Sequence, residues 1–437
     1  MYTFLLRKII LPIGSIFFSG NYSKYLKEWE KYDQMSKEEL EKIRQERLSE
    51  ILQYARQKVP YYKSLSLPDN LSLEDFPVLT KTILRSEKEN LVSEDFSIEK
   101  LENNHSSGSS GVQSVTYMTH PHKAYVRAIQ THWWQWGGFK PGERTLQTGI
   151  SPNRTFIKKL KDIFFRVIYL NAFSLSENEM FHVLRKLKTR TPKHIIGYPS
   201  ALNEIAKTAL KHNQTTSFSS LISLGDKLFE HYLPNFEKAF QSPIIINTYG
   251  CAEGLLIGCT CDLPYYYLMS PHVHIEVVDD NYQPVPDGQR GHILVTCLTN
   301  YAMPLIRYKL GDLGILLPKE KYPEKRRFNY PLLQEMTGRE TDVIQAPNGN
   351  VLIVHSFTGI LEYYQEIKQY KVIQTRSDEL VIEYITENGE RLEENVKQDI
   401  LQKLSNLTAG SMQISFKPVT EILPSPSGKP QIIEIKL

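Results

Sequence analysis

The sequence predicts an α/β protein: a large N-terminal part with doubly wound, mixed sheets and a small β-rich subdomain, then a small α+β C-terminal unit. Three observations carry this expectation. Between Thr145 and Thr248, short apolar runs alternate with segments of helical period, the spacing of a largely parallel sheet covered by helices. From about Pro271 to Leu317 the rhythm shifts to short strands separated by Gly, Pro and Asp. The C-terminal stretch holds one clear helix, near Glu393 to Leu404, between strands such as Glu379 to Tyr384 and Gln413 to Phe416.

Taken in order, Ser36 and Glu39 form a capping box, because a Ser at the N-cap and a Glu three residues later satisfy each other's backbone N–H groups. Leu40, Ile43, Leu48, Ile51, Leu52 and Ala55 then recur at helical spacing until Pro60, which ends the helix. Strands are expected at Thr145–Ile150, His194–Tyr198, Leu221–Leu224 and Ile244–Thr248. Helices are expected from Ser176 to about Leu187, Ser200 to Lys211 and Glu230 to Phe240. In the β-rich part, His274–Val278, His292–Thr296 and Gly314–Leu317 read as strands.

Composition bounds the function. The 437 residues carry 52 basic and 49 acidic side chains, a net charge of +3, which gives no footprint for nucleic acid. Four cysteines are too few for a disulfide framework in a chain of this length and point to a reducing, cytoplasmic compartment. Cys251, Cys259, Cys261 and Cys297 share one region with His272 and His274. Free thiols and a zinc site are both readings of that region, although C-x7-C-x-C matches no common zinc spacing. The apolar run Ile9–Phe18 follows Arg7-Lys8 but is broken by Pro12 and Gly14, too short to span a bilayer. A segment packed on the body is preferred there over weak membrane-surface association or a secretion signal. Thr131-His132-Trp133-Trp134-Gln135-Trp136 is read as helix packing, with an acyl pocket as the alternative.

Ser106-Ser107-Gly108-Ser109-Ser110-Gly111 is the stretch most suited to binding an anion. Two glycines free the backbone, and successive N–H groups with four hydroxyls make a concave donor site for phosphate oxygens. Alone, such a run is more often a flexible surface linker. It is followed in order by Tyr249-Gly250-x-x-Glu253, Arg307-Tyr308-x-x-Gly311-Asp312, Gly338-Arg339-x-x-Asp342 and Pro424-Ser425-Pro426-Ser427-Gly428-Lys429. In parallel sheets ligands sit at the carboxyl ends of strands, where Gly225-Asp226 and Tyr249-Gly250 are expected. No Gly-Lys-Ser/Thr follows the glycine loop, which excludes a P-loop kinase or ATPase.

From about residue 30 onward, this ordered set resembles the adenylate-forming superfamily of acyl-CoA synthetases, luciferases and peptide-synthetase adenylation domains. Val59-Pro60-Tyr61-Tyr62, Gly197-Tyr198-Pro199-Ser200 and Thr296-x-Leu298-x-Asn300 leading into Pro304-Leu305-Ile306-Arg307-Tyr308 are similar to the phenylacetate–CoA ligase family in its capsular-polysaccharide branch. The resemblance implies ATP and Mg2+, a carboxylic acid substrate, an acyl-adenylate intermediate and released pyrophosphate. It also implies an adenylation domain over 1–338, with an N-terminal helical segment, and a small mobile lid over 339–437. Ser106 to Gly111 would wrap the β- and γ-phosphates. Tyr249 would stack on adenine with Gly250 beside it, and Gly225-Asp226 would meet the adenine edge. Asp312 would accept from the ribose hydroxyls and Arg339 would reach ribose or phosphate. Glu253 would hold Mg2+, and Lys429 would bridge the two anions that react. CoA, a carrier-protein phosphopantetheine arm or a sugar are the acceptors implied.

Two departures motivate an alternative. Val112-Gln113-Ser114 follows the loop where the family often has Pro and Lys, and Thr341 stands at the hinge where Asp or Lys is common. The alternative reading is a non-catalytic nucleotide- or acyl-binding relative in polysaccharide assembly.

Overall fold

The computed structural model describes residues 4, 6, 10, 21–105, 115–149, 155–171, 177–189, 192–225, 228, 230–242, 244–337, 343–361, 363–364, 366–386, 389–422 and 432–436. The chain divides into two compact units. One comprises Met1–Ser106, Ser114–Lys140 and Ile246–Gly338; the other comprises Ser107–Gln113, Pro141–Ile245 and Arg339–Leu437. Among the described residues no helix is long and apolar enough to cross a membrane.

The first unit opens with helices α1 (Tyr22–Tyr32), α2 (Lys37–Lys58), α3 (Pro60–Lys63) and α4 (Lys81–Ser86). The capping box at α2 forms as expected: Glu39 N–H donates to Ser36 Oγ at 3.1 Å, and Ser36 N–H donates to Glu39 Oε2 at 2.7 Å. Strands β1 (Glu102–His105) and β2 (Val115–Met118) then pair antiparallel, Glu102 opposite Met118 and His105 opposite Val115. Helix α5 (His120–Trp136) follows, with Trp133 and Trp136 buried. Trp136 stacks on Phe328 with centroids 4.4 Å apart, so the tryptophan-rich run serves helix packing. Asp33 is the polar hub of this packing: His132 Nε2 and Tyr330 Oη donate to its Oδ1 at 3.0 and 3.1 Å, and Trp136 Nε1 donates to Oδ2 at 3.1 Å.

The second unit holds β3 (Thr145–Gly149), α6 (Phe156–Phe164), β4 (Val167–Asn171), α7 (Glu177–Thr189), β5 (His194–Gly197), α8 (Pro199–Lys211), β6 (Ser220–Ser223) and α9 (Leu233–Phe240). These strands run parallel in the order β6-β5-β3-β4. Leu146, Ile195 and Leu221 pack against Leu184, Leu202, Ile205 and Phe236. The α6–β4 pair was not read from the sequence. Helix α8 starts at Pro199 with Tyr198 at the N-cap. At the strand starts, His194 Nε2 lies 3.1 Å from Glu143 Oε2, and Ser220 Oγ lies 2.7 Å from His194 Nδ1. Ser220 is fully buried, so this trio pins strand register and presents no nucleophile.

The chain returns to the first unit through β7 (Ile245–Gly250), β8 (Leu256–Cys259), β9 (Tyr266–Leu268), β10 (Val273–Val278), β11 (Arg290–Cys297), β12 (Tyr308–Leu316) and β13 (Leu332–Thr337). Their order is β10-β11-β12-β13-β9-β8-β7, antiparallel at each step. Strand β12 is longer than the expected Gly314–Leu317 and carries Asp312 inside it. The β13 ladder covers only Leu313 to Leu316 of β12, so Tyr308 to Asp312 lie beyond it. Arg307 enters β12 with φ 50°, a left-handed backbone that costs a non-glycine residue about 1–2 kcal/mol. Its guanidinium offsets that cost: Nε donates to Glu276 Oε1 at 3.1 Å and Nη1 donates to the Phe76 carbonyl at 3.1 Å.

The second unit ends with β14 (Val343–Gln345), β15 (Val351–Ile353), α10 (Val354–Leu361), β16 (Ile367–Arg376), β17 (Glu379–Thr386), α11 (Glu394–Thr408), β18 (Gln413–Pro418) and β19 (Ile433–Ile435). The order β18-β17-β16-β19 has an antiparallel centre and parallel flanks. Strand β17 alternates strictly between buried and half-buried residues, with Leu380, Ile382 and Tyr384 packed against Ile400 and Leu404 of α11.

Replacing Asp33 by Ala strands three buried donors at once, each losing its acceptor. The expected cost is about 3 kcal/mol, read as a lowered urea midpoint of the first unfolding transition; a midpoint within error of the parent would remove Asp33 as a hub.

Candidate functional site

Two tyrosines and two carboxylates set the centre of the site in the first unit. Tyr249 is the penultimate residue of β7, and Glu253 follows in the turn to β8; Tyr308 and Asp312 stand four residues apart on β12. Tyr249 Oη donates to Asp312 Oδ2 at 3.0 Å, and Tyr308 Oη donates to Glu253 Oε1 at 3.0 Å. Each segment therefore supplies one phenol and one acid, and the two bonds run in opposite directions. Charge-assisted bonds of this kind contribute about 1.5–3 kcal/mol each. They also fix the direction in which both carboxylates point.

Burial, then the Asp312 carboxylate, pushes the Tyr249 phenol well above its ordinary value, so it stays a donor. Asp312 is half-buried, whereas Glu253 and Tyr308 are buried. A carboxylate has capacity for about four bonds, so one tyrosine leaves Asp312 able to accept from a diol.

The turn between β7 and β8 is closed by Cys251 N–H donating to the Leu255 carbonyl at 2.9 Å. A Cβ on Gly250 would lie 2.9 Å from that carbonyl oxygen, so the hairpin itself requires glycine there. Gly254 has φ +86°, and a Cβ on it would lie 2.7 Å from Met118 Cε. Met118 ends β2, so the base of the β1–β2 hairpin packs directly beside the residue after Glu253. Residues 106–114 lie between those two strands in the chain.

A histidine holds the same turn from behind. His272 Nε2–H donates to the Gly254 carbonyl at 3.1 Å, and Thr299 Oγ1 donates to its Nδ1 at 2.7 Å. Since a carbonyl only accepts, Nε2 carries the proton, and burial keeps the ring neutral. His122 lies 6.2 Å away, centroid to centroid. Burial depresses both, His122 to about 4 and His272 to about 3, with His122 and Arg47 adding to the effect on His272. The sequence offered no signal for this role, because His272-x-His274 reads equally as a metal pair. His274 instead contacts Arg44.

All four cysteines are free. Removal from water, then the neighbouring Glu253 carboxylate, pushes the Cys251 thiol well up, so it is protonated and a poor nucleophile. Among the described residues no group of three His, Cys, Asp or Glu is arranged to hold a metal, which leaves the zinc reading without support. A single carboxylate does fit Mg2+, which keeps most of its waters and takes one or two carboxylates plus phosphate oxygens. Glu253 is the residue that would hold it.

In the second unit, Gly225 follows β6 with φ +85°, and a Cβ on it would lie 2.1 Å from Tyr198 Cε1. Only glycine satisfies both demands. Thus the Gly197-Tyr198-Pro199 run and Gly225 meet at the carboxyl ends of β5 and β6. Asp226, Arg339, Lys429 and the whole of Ser106–Gly111 lie outside the described residues. The structure thus brings Tyr249, Gly250, Glu253 and Asp312 together, and adds Tyr308, which sequence reasoning had left as a motif letter.

Residues 165–298 match the family model described as AMP-binding enzyme. The chain is 22% identical over 439 residues to protein CapK of Staphylococcus aureus, covering 95% of this chain and 93% of that protein. It is 28% identical over 142 residues to the phenylacetate-coenzyme A ligase of Pseudomonas putida, covering 31% of this chain and 30% of that one. Among solved structures, 2-hydroxyisobutyryl-CoA ligase in complex with 2-HIB-AMP and CoA superposes with a TM-score of 0.58 at 18% identity, over 91% of this chain and 90% of that chain.

Four described histidines are depressed by burial, His122, His194, His272 and His274, and the pair at the site, His122 and His272, makes stability pH-dependent with a defined sign. Unfolded, each takes up a proton below about 6.5; folded, each resists it. Their contribution is complete above about pH 6.5 and is lost as pH falls through about 4 and about 3. The expected fall in unfolding free energy between pH 6.5 and pH 4 approaches about 1.4 kcal/mol per pH unit for each histidine. Urea titrations across that range should give a shallower slope for His122→Asn and His272→Asn; an unchanged slope in both would show that these rings do not govern acid sensitivity.

Proposed function

We propose, from the premise that this chain is an AMP-binding enzyme with the fold of the adenylate-forming acid–thiol ligases, that it activates a carboxylic acid with MgATP. The acid forms an acyl-adenylate, pyrophosphate leaves, and the acyl group then passes to a thiol. The reciprocal Tyr249–Asp312 and Tyr308–Glu253 pairing supports this most directly, because it holds a diol acceptor and a cation-binding carboxylate as one preset unit.

In this reading the Tyr249 ring lies beside adenine, and Asp312, its orientation fixed by the tyrosine, accepts from the ribose hydroxyls. Gly225 and Asp226 border the adenine edge. Glu253 holds Mg2+, which when bound neutralises phosphate charge. Ser106, Ser107, Gly108, Ser109, Ser110 and Gly111 cradle the β- and γ-phosphates. Arg339 reaches ribose or phosphate. Attack of a carboxylate on the α-phosphate brings two anions together, and the Lys429 ammonium stabilises that charge. Residues 339–437 act as the lid that delivers Lys429, and residues 1–338 form the body.

CoA is the favoured acceptor, with a phosphopantetheine arm or a sugar as the other candidates. The sequence resemblance to the capsular-polysaccharide branch supports a role in surface polysaccharide biosynthesis, and the few, free cysteines support a cytoplasmic setting for it. Pyrophosphate release across a panel of carboxylic acids, with mass detection of the acyl-AMP, tests the whole reading. Release with none of them, alongside measurable ATP binding, would favour the non-catalytic alternative.

Lys429→Ala is expected to abolish adenylate formation while ATP affinity stays within about twofold; undiminished pyrophosphate release would take Lys429 out of the reaction. Asp312→Ala is expected to weaken ATP binding at least tenfold, about 1.4 kcal/mol. Calorimetry showing no loss would argue against the ribose contact.

A further inference from the structure

Helix α6 has the opposite exposure from every other long helix of the second unit. None of its nine residues is buried. Phe156, Ile157, Leu160 and Ile163 are 80%, 66%, 57% and 75% exposed. A helix of a soluble protein ordinarily turns its apolar stripe to the core.

The pattern is not random. At about 100° per residue, Phe156, Ile157, Leu160, Ile163 and Phe164 fall within one arc of about 120°. Lys159 and Lys161 border that arc on either side, and Lys158 stands behind it; all three are exposed. Three lysines face one acid, Asp162, within the helix, and Phe165 extends the exposed apolar surface at its C-terminal end. An apolar stripe of Phe, Ile and Leu edged by lysines is the composition of a helix that lies in the plane of a lipid–water interface.

We propose that α6 is a membrane-contact helix, seating Phe156, Ile157, Leu160 and Ile163 among the acyl chains of an anionic bilayer while Lys158, Lys159 and Lys161 meet lipid phosphates. Charge decides between this occupant and a second copy of the chain. A self-complementary contact through this face would bring the same lysines of both copies together, whereas anionic headgroups neutralise them. The inference rests on exposure and charge alone and is independent of the reaction assigned above.

Co-sedimentation of the full chain with vesicles tests it. Binding is expected with phosphatidylglycerol–phosphatidylcholine vesicles, little with phosphatidylcholine alone, and the binding weakens as salt screens the lysines. Phe156→Ser combined with Ile163→Ser should reduce vesicle affinity at least about tenfold, and Lys158, Lys159 and Lys161 all changed to Gln should reduce it several-fold. All five positions are exposed, so the thermal melt should match that of the parent. Because these variants keep residues 1–20, binding equal to the parent would assign the contact elsewhere and overturn the proposal. So would failure of the parent to bind anionic vesicles, or a dimer seen by light scattering that the Ser substitutions dissolve.

Discussion

The candidate site depends on two hydrogen bonds that cross each other between β12 and the end of β7. Tyr249 and Tyr308 each donate to an acid on the other's segment, Asp312 and Glu253 respectively. Neither carboxylate can turn without breaking a bond in which the acceptor carries full charge. Such bonds are strong where water is scarce, and Tyr308 and Glu253 are both buried. The arrangement therefore removes the orientational freedom of the two groups before any ligand arrives, which lowers the entropic cost of binding.

What surrounds this crossing is a set of buried polar contacts that hold the backbone in place. Arg307 adopts a left-handed φ to enter β12, and its guanidinium is spent on Glu276 and the Phe76 carbonyl. Gly254 turns at positive φ against Met118, and a neutral His272 grips its carbonyl. These groups fix the backbone by satisfying polar atoms that burial would otherwise leave costly. The arginine of the Arg307-Tyr308 run is thus structural, and the tyrosine beside it is the residue that reaches the site.

Helix α6 shows the opposite economy. Its apolar side chains face water, and the second unit's sheet is packed without them. The same rule explains both cases: polar groups taken from water must find partners, and apolar groups left in water imply a less aqueous neighbour.

Local sequence was enough for the alternating α/β rhythm of the second unit, the capped α2 helix, a strand at Glu379 to Tyr384 and the ordered motif residues Tyr249, Glu253 and Asp312. Those features are written locally, in caps, periods and short spacings that neighbouring residues enforce. It could not show that Asp312 lies inside a strand, that Tyr308 faces Glu253, or that His272 serves a carbonyl and not a metal. Each of those facts joins residues far apart in the chain, and only packing brings them within hydrogen-bond range. The exposed face of α6 was hidden for the same reason: an amphipathic pattern records which side chains are apolar, while the tertiary fold decides whether anything covers them.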